Sequence, residues 1–415
     1  MLNLKKENLI EHINKIRKEI GHENNDIQIQ KLILNENTNE LWIITPDRPD
    51  KSAIIGKGGW VVGKLKEETG FNKIHVESYS DFLLREYRMK FSLESLNSFI
   101  KENTNNYNDH SELEKPEFLK PMKNLKDLLE EKINNLYDFN LKDYFNSNTY
   151  NDLNSENKND NNNHAIVALS GGVDSSFSLI LAKKLGFNPL AITIDPGTIV
   201  LPKQFKDNIN KLCNDLDVNH EYIPVNYSEI IKDSLNGRFH PCGRCSSVIE
   251  STLFDYAEKN NIKIVIFGDM LSTGFQCITK HTSSIENEKH HQNEEIKNNN
   301  TNNRSNNINN TSTNINSNNN SNNNYTNNKF KENKFTYRLN LPATLSIGKE
   351  EIKNTVAKYN LGKIKGFGCP LLYETHKKYP YLKKFSIQRI LRETRAGVLE
   401  PGEALNLIWS FYNTE

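Results

Sequence analysis

Seven consecutive residues, Ser170, Gly171, Gly172, Val173, Asp174, Ser175 and Ser176, constrain this chain more than any others. An apolar run over 165–169 leads into them and a helix-like run over 177–185 leads out, so the stretch reads as a strand, a tight turn and a helix start. Gly171 and Gly172 carry no side chain, which lets backbone N–H groups close on a phosphate where a helix presents its unpaired donors and positive dipole end. Ser170, Ser175 and Ser176 add hydroxyl donors, and Asp174 reads as an indirect magnesium ligand or as an acid capping the helix. No lysine follows the glycines, so the Walker A pattern is absent. From His164 onward the short apolar runs 165–169, 190–194, 221–225 and 262–267 alternate with helix-length segments. That alternation predicts an α/β fold, a parallel sheet with helices on both faces. Ligands of such sheets sit at the carboxyl ends of the strands. Three of those ends carry SGGVDSS, Asp195-Pro196-Gly197 and Gly268-Asp269-Met270-Leu271.

SGGVDSS at a strand-to-helix turn resembles the signature of the PP-loop ATP pyrophosphatases. The resemblance implies an adenine nucleotide alpha hydrolase-like fold, ATP and Mg2+ as ligands, cleavage of ATP to AMP and pyrophosphate, and adenylation of a substrate oxygen. It further implies nucleotide contacts at Ser170, Gly171, Gly172 and Ser176, chemistry at Asp174 and Ser175, and adenosine-side contacts at Asp195, Gly197 and Gly268.

The cysteines narrow the branch. Cys242-Gly243-Arg244-Cys245 follows His240 and Pro241 between two of the strands, and Cys369-Pro370 comes far downstream after Gly366-Phe367-Gly368. Joined to the glycine turn, this arrangement is similar to the tRNA 2-thiolation enzymes of the same family. The similarity implies that Cys242, Cys245 and Cys369 hold a [4Fe-4S] cluster by three thiolates and leave one iron open for a sulfur species. The residues alone leave open a zinc site completed by His240, a redox or persulfide pair, and three unrelated structural thiols. Cys213 sits in an apolar helical pattern and Cys277 lacks a partner spacing, so both read as inert. The chain departs from that branch in having no cysteine before Cys213, hence none of the N-terminal zinc ribbon some relatives carry. At the third strand end it has Asp269 alone where many relatives have an acidic pair. Gly268-Asp269-Met270-Leu271 is closer to the Gly-acid-x-Leu of 4-thiouridine synthases, which leaves Asp269 as the candidate acid.

Upstream, apolar residues at helical spacing over 4–20 predict an amphipathic helix. Strand-like runs at 27–34 and 41–45 flank an Asn-rich turn. Then come 53–55, the turn Gly56-Lys57-Gly58-Gly59, a helix over 60–69 and a strand over 73–78. The stretch 49–81 resembles a type II KH domain. The resemblance implies that a single-stranded RNA backbone lies against Gly56, Lys57, Gly58 and Gly59, with local charge from Lys57, Lys64 and Lys66. A turn with no ligand is the alternative. Trp60 reads as stacking on a base or as core, and an aromatic that opens a helix is more often core. Residues 91–144 read as a helical connector. Arg389, Arg392 and Arg395 share one helical face, read as solvated or ion-paired in preference to touching RNA phosphate.

Composition bounds the rest. With 53 Lys and Arg against 52 Asp and Glu the net charge of +1 offers no global attraction to nucleic acid, so any contact must come from local patches. The 36% hydrophobic content is diluted by Asn-rich tracts at 146–163 and 298–328, the first read as a flexible tether and the second as part of a polar insertion over 280–331. His290 and His291 inside it read as solvated. The division expected is a KH-like domain over 1–90, a connector and linker over 91–163, an ATPase domain over 164–383, and C-terminal helices over 384–415. Five cysteines and no long apolar run predict a cytoplasmic protein without a membrane partner. The activity expected is an ATP-dependent sulfurtransferase on RNA, tRNA first, drawing on a sulfur donor; a homodimer is left open. The rivals are an adenylating ligase or amidotransferase acting on a substrate other than RNA, and a nucleotide-sensing RNA-binding regulator.

Overall fold

A computed structural model describes residues 5–23, 26–105, 116–137, 139–146, 164–271, 277–282, 335–362 and 368–412. The expected tether, and His290 and His291 with most of the expected insertion, lie outside these residues.

In the N-terminal part, α1 (Lys6–Glu19) places Leu9, Ile13 and Ile16 on one face, and these bury against Leu41, Ile43, Ile54, Val61 and Leu65. Two strands, β1 (Lys31–Asn35) and β2 (Glu40–Thr45), pair antiparallel. Helices α2 (Arg48–Ile55) and α3 (Trp60–Thr69) then carry the chain over to β3 (Lys73–Ser78), which pairs parallel to β2. The GKGG turn therefore joins two helices at one end of a three-stranded sheet in the order β1-β2-β3.

From Tyr79 a single helix, α4 (Tyr79–Asn105), runs on without a break, so the boundary expected at residue 90 falls inside it. Its first turns stay with the small sheet, Phe82 meeting Trp42 edge-on at 6.1 Å. Its later turns put Met89, Leu96 and Phe99 into the large core, together with Leu125, Leu128 and Leu129 of α5 (Leu119–Asn134) and Leu141 of α6 (Leu141–Asn146). The expected connector is thus part of the core, because its leucines recur at helical spacing and need an apolar partner.

The second sheet has the order β6-β5-β4-β7-β9-β8. Strands β4 (Ala165–Ala168), β5 (Pro189–Asp195), β6 (His220–Pro224), β7 (Ile264–Phe267) and β9 (Phe335–Asn340) are parallel. Strand β8 (Ile278–Thr282) closes the edge antiparallel to β9. The expected α/β architecture is borne out, with β8 as a correction: Lys280, His281 and Thr282 are ladder residues, not the start of an insertion. Their polar side chains suit an edge strand and hide it from an apolar-run reading. On one face Ala165 and Val167 pack with Phe177, Leu181 and Ile209 of α7 (Val173–Lys184) and α8 (Lys203–Leu216). On the other, Ile166 packs with Leu253, Phe254 and Ala257 of α10 (Pro241–Lys259), which follows α9 (Ser228–Leu235). After β9 come α11 (Leu341–Thr344), α12 (Lys349–Ala357), α13 (Pro370–Lys378), α14 (Lys383–Arg395) and α15 (Pro401–Ser410). The chain leaves β4 toward β5 on one side and returns to β7 on the other, so a crevice opens at the carboxyl ends of β4 and β7. No helix among the described residues is long and apolar enough to cross a membrane.

Candidate active site

SGGVDSS occupies that crevice, between the end of β4 and the first turn of α7. Gly171 has φ 75°, and a Cβ there would stand 2.8 Å from the Phe205 carbonyl oxygen, so both its conformation and the approach of α8 require glycine. Hydroxyls brace the turn from within. The Ser170 N–H donates to Ser175 Oγ at 3.2 Å, and Ser175 Oγ–H donates to the Gly172 carbonyl at 3.1 Å. Ser176 is 1% exposed. Of the three hydroxyls expected to face a phosphate, that of Ser176 is buried, and those of Ser170 and Ser175 bond each other at 3.0 Å within the turn. Gly268, at the end of β7, packs so close that a Cβ would lie 2.8 Å from the Ser175 backbone nitrogen.

Asp174 is held by a residue that the sequence did not single out. Lys349 Nζ ion-pairs with its Oδ1 across 175 positions of chain. Lys349 is the first residue of α12, so the pair brings the N-termini of α7 and α12 together at the glycine turn. A lysine there opposes the helix dipole and is disfavoured in a helix formed only for stability. That misplaced cation was the available signal. Two dipole ends, a turn of N–H groups and an ammonium make a site that attracts a polyphosphate.

Along the crevice, burial alone would raise the Asp195 carboxyl. Hydrogen bonds from Lys206 at 2.5 Å and from the Gly197 N–H at 3.0 Å outweigh it and hold Asp195 below the usual carboxylate range. Asp195 thus shapes its own turn as well as facing the crevice. Asp269 is 52% exposed and ion-pairs at 2.6 Å with Arg338 of β9, which also reaches Glu250 at 2.9 Å.

The cysteines come from two helix starts. Cys242 and Cys245 lie in the first turns of α10, whose first residue is Pro241, and Cys369 caps α13 ahead of Pro370. Burial, and then the neighbouring Cys369, push the Cys242 thiol up to about 11 and Cys245 to about 12. Burial also raises Cys369, against the pull of backbone N–H groups at Leu371 and Leu372. Tyr227, itself buried, donates to the Cys245 carbonyl at 3.1 Å. The three thiols are therefore close enough to oppose one another's ionisation. Among the described residues, however, no three His, Cys, Asp or Glu side chains stand in a ready metal-holding group. The donor chemistry fits a soft metal or cluster: three thiols, two helix N-termini favouring thiolate, and Arg389 drawing the Cys242 thiol down. His240, the alternative fourth zinc ligand, is bonded through Nε2 to Ser386 Oγ at 3.0 Å. Cys213 is buried in α8, its thiol pushed up to about 12 by burial, and Cys277 donates to the Ser92 carbonyl at 3.6 Å. Both are placed as inert residues would be.

At the GKGG turn, Gly56 has φ 72° and a Cβ would collide with Val61 Cγ2, whereas a Cβ on Gly58 or Gly59 meets nothing within 4 Å. Gly56 serves the helix-to-helix packing, and open space lies over Gly58 and Gly59. Lys57 is exposed, and Trp60 is 46% exposed, which corrects its reading as core. Lys64 is paired with Glu68 at 3.6 Å.

No family model matches the chain. It is 28% identical over 253 residues, 60% of this chain and 75% of the relative, to an uncharacterized protein of Methanocaldococcus jannaschii. It is 31% identical over 119 residues, 26% of this chain and 34% of the relative, to the tRNA-specific 2-thiouridylase MnmA 2 of Fusobacterium nucleatum. Among solved structures it is similar to the U34-tRNA thiolase NcsA from Methanococcus maripaludis with its [4Fe-4S] cluster, at TM-score 0.31 and 14% identity, covering 61% of this chain and 72% of that one. A second is the NMN synthetase from Francisella tularensis, at TM-score 0.24 and 24% identity, covering 32% of this chain and 56% of that one.

Proposed function

We propose that this chain is an ATP-dependent RNA sulfurtransferase with tRNA as its substrate. The observation that carries the reading is the glycine turn on the carboxyl edge of the parallel sheet, where two helix N-termini meet and Lys349 holds Asp174. The partial likeness to a tRNA-specific 2-thiouridylase supports the choice of tRNA and of sulfur.

ATP would lie with its phosphates against the backbone N–H groups at Gly171 and Gly172 and its adenosine along the turn of Asp195 and Gly197. Lys349 then exchanges Asp174 for the pyrophosphate oxygens, and Asp174 becomes available to hold Mg2+ through water. A base carbonyl oxygen attacks the α-phosphorus, the bond to the bridging oxygen breaks, and pyrophosphate leaves while the positive turn neutralises its growing charge. A sulfur nucleophile adds to the activated carbon, and AMP departs with the original oxygen. Activation of the carbonyl oxygen frees the proton of the adjoining ring N–H, which Asp269, exposed beside Arg338, would accept, and the proton of the incoming hydrosulfide restores that N–H in the product. Cys242, Cys245 and Cys369 would hold a [4Fe-4S] cluster, whose Lewis acidity keeps a sulfur donor deprotonated near neutral pH. Zinc is the alternative occupant of the same thiols. The N-terminal module is a KH-like RNA-binding domain, with Gly58, Gly59, Lys57 and Trp60 facing the strand.

Anaerobically reconstituted protein incubated with ATP, sulfide and a tRNA transcript tests this reading. The expected products are AMP, pyrophosphate and one thiolated nucleoside seen by mass spectrometry. ADP as the nucleotide product would sink the phosphate-site reading, and AMP without a thiolated nucleoside would sink sulfur transfer.

A further inference from the structure

A cavity of about 690 Å³ opens between α4, the turn joining α14 to α15, and the ends of β7 and α11. Four guanidiniums line it: Arg85 and Arg88 from α4, Arg392 and Arg395 from α14. The sequence separates these pairs by about three hundred positions, and the first pair lies near the end of the stretch 1–90 expected to form the KH-like domain. Arg88 bridges the cavity floor, donating to the Ala396 carbonyl at 2.8 Å. Arg85 keeps Nη2 buried with no hydrogen-bond partner, its nearest carboxylate oxygen being Glu77 Oε1 at 3.5 Å.

Of the carboxylates on the surrounding elements, Glu77 is shared between Arg85 at 3.5 Å and Lys51 at 3.1 Å, while Asp81 takes Arg48 at 2.6 Å and Glu393 takes Arg389 at 2.9 Å, neither of which lines the cavity. The cavity therefore carries surplus positive charge in a chain whose total is +1.

We propose that this cavity binds a phosphodiester segment of the RNA substrate and leads it to the ATP site. The inference rests on the RNA reading above and adds a path for the strand. Its volume suits a nucleotide unit and exceeds the need of one small anion. Met270 and Ile347 give it an apolar wall, and these residues sit next to Asp269 and two before Lys349 in the chain, so a bound strand runs toward the phosphate turn. Tyr79, Leu83, Tyr87 and Phe91 are exposed on a separate stripe of α4 and do not line the cavity. The four guanidiniums are the groups that would hold the phosphates, since the planar guanidinium fork matches phosphate oxygens.

Arg392→Gln combined with Arg395→Gln tests the path, since both side chains are exposed and their loss leaves the core packing in place. Binding of a fluorescent tRNA transcript is measured across a salt series on the full chain, with thermal midpoint as the check on folding. Two lost phosphate contacts should lower the slope of log affinity against log salt by about 1.4 and weaken binding about 10- to 30-fold at 0.1 M salt. The double lysine variant, which keeps the charge, should recover most of that loss. Should the glutamine variant unfold, Ala396→Glu sets a carboxylate in the cavity and should give the same loss. Tight wild-type binding with the variant unchanged in affinity and slope would overturn the path and leave the RNA reading standing. Wild-type failure to bind tRNA would overturn both. Loss of inorganic pyrophosphate binding alone, with tRNA unaffected, would make the cavity a small-anion site and overturn the proposal.

Discussion

Lys349 decides most at the scale of single residues. At the first position of α12 it stands against the helix dipole, and its partner Asp174 is an acid at the start of α7, where acids belong. The pair is stable as it is, yet an arriving polyphosphate offers the lysine a stronger partner. Lys349→Met should cut ATP turnover about 100-fold or more, the scale for removing one preorganised charge from a developing anion, with an unchanged thermal midpoint. Initial-rate assays of AMP release check it; a loss below threefold would place the lysine outside the reaction. The thiols make a second prediction. Cys242 near 11 and Cys245 near 12 are protonated at neutral pH, so metal must displace their protons and loading must strengthen as pH rises. Cobalt(II) titrated at pH 6.5, 7.5 and 8.5 should show thiolate charge-transfer absorbance growing with pH. Cys242→Ser, Cys245→Ser and Cys369→Ser should each abolish it, while Cys213→Ser and Cys277→Ser keep it. That the three cysteines come near one another was legible because two share one turn and the third precedes a proline. Lys349 was not, because nothing local ties it to Asp174.

Among elements, β4, β5 and β7 were legible because each is a short, largely buried apolar run, and β6 followed from the alternation with helices, but β8 and β9 were not read as strands, because Lys280 and His281 in the one and Thr336, Arg338 and Asn340 in the other break any such run. Trp60 misled for a similar reason: its position suggests core, but α3 already buries Val61 and Leu65, and the tryptophan is left outside. The GKGG turn separates two uses of glycine that sequence cannot distinguish. Gly56 has positive φ and no room for a Cβ, whereas Gly58 has positive φ and open space. Gly56→Ala should cost about 2–4 kcal/mol, joining backbone strain to overpacking against Val61. Gly58→Ala should cost about 1 kcal/mol, from strain alone. Urea unfolding of the two variants checks the order, and equal costs would refute this division of roles.

The whole molecule departs furthest from what its sequence suggests, since an Asn-rich tether and a featureless connector imply two modules moving apart. Instead α4 carries the chain from one core into the other, and a polar junction closes beside it. Arg48 grips Asp81 through two nitrogens, at 2.9 and 2.6 Å, and also donates to the Arg395 carbonyl at 2.6 Å. Lys51 reaches Glu400 at 3.5 Å, and Arg88 reaches the Ala396 carbonyl. All three end on the turn between α14 and α15 that floors the arginine cavity, so the junction fixes the spacing between the GKGG turn and the cavity. Arg48→Ala removes the central link and touches neither RNA surface. Held at fixed spacing, two weak RNA contacts act at high effective concentration; released, each acts nearly alone. The variant should therefore lose tRNA affinity while keeping the wild-type salt slope, because no phosphate contact has been removed. That pattern is distinct from the flattened slope expected when Arg392 and Arg395 are replaced. Calorimetry should show the small core melting earlier than in the wild type, since Asp81 loses the partner that holds its carboxyl down against burial. Unchanged affinity with an unchanged melting profile would mean that α4 alone sets the geometry and that the junction only decorates it.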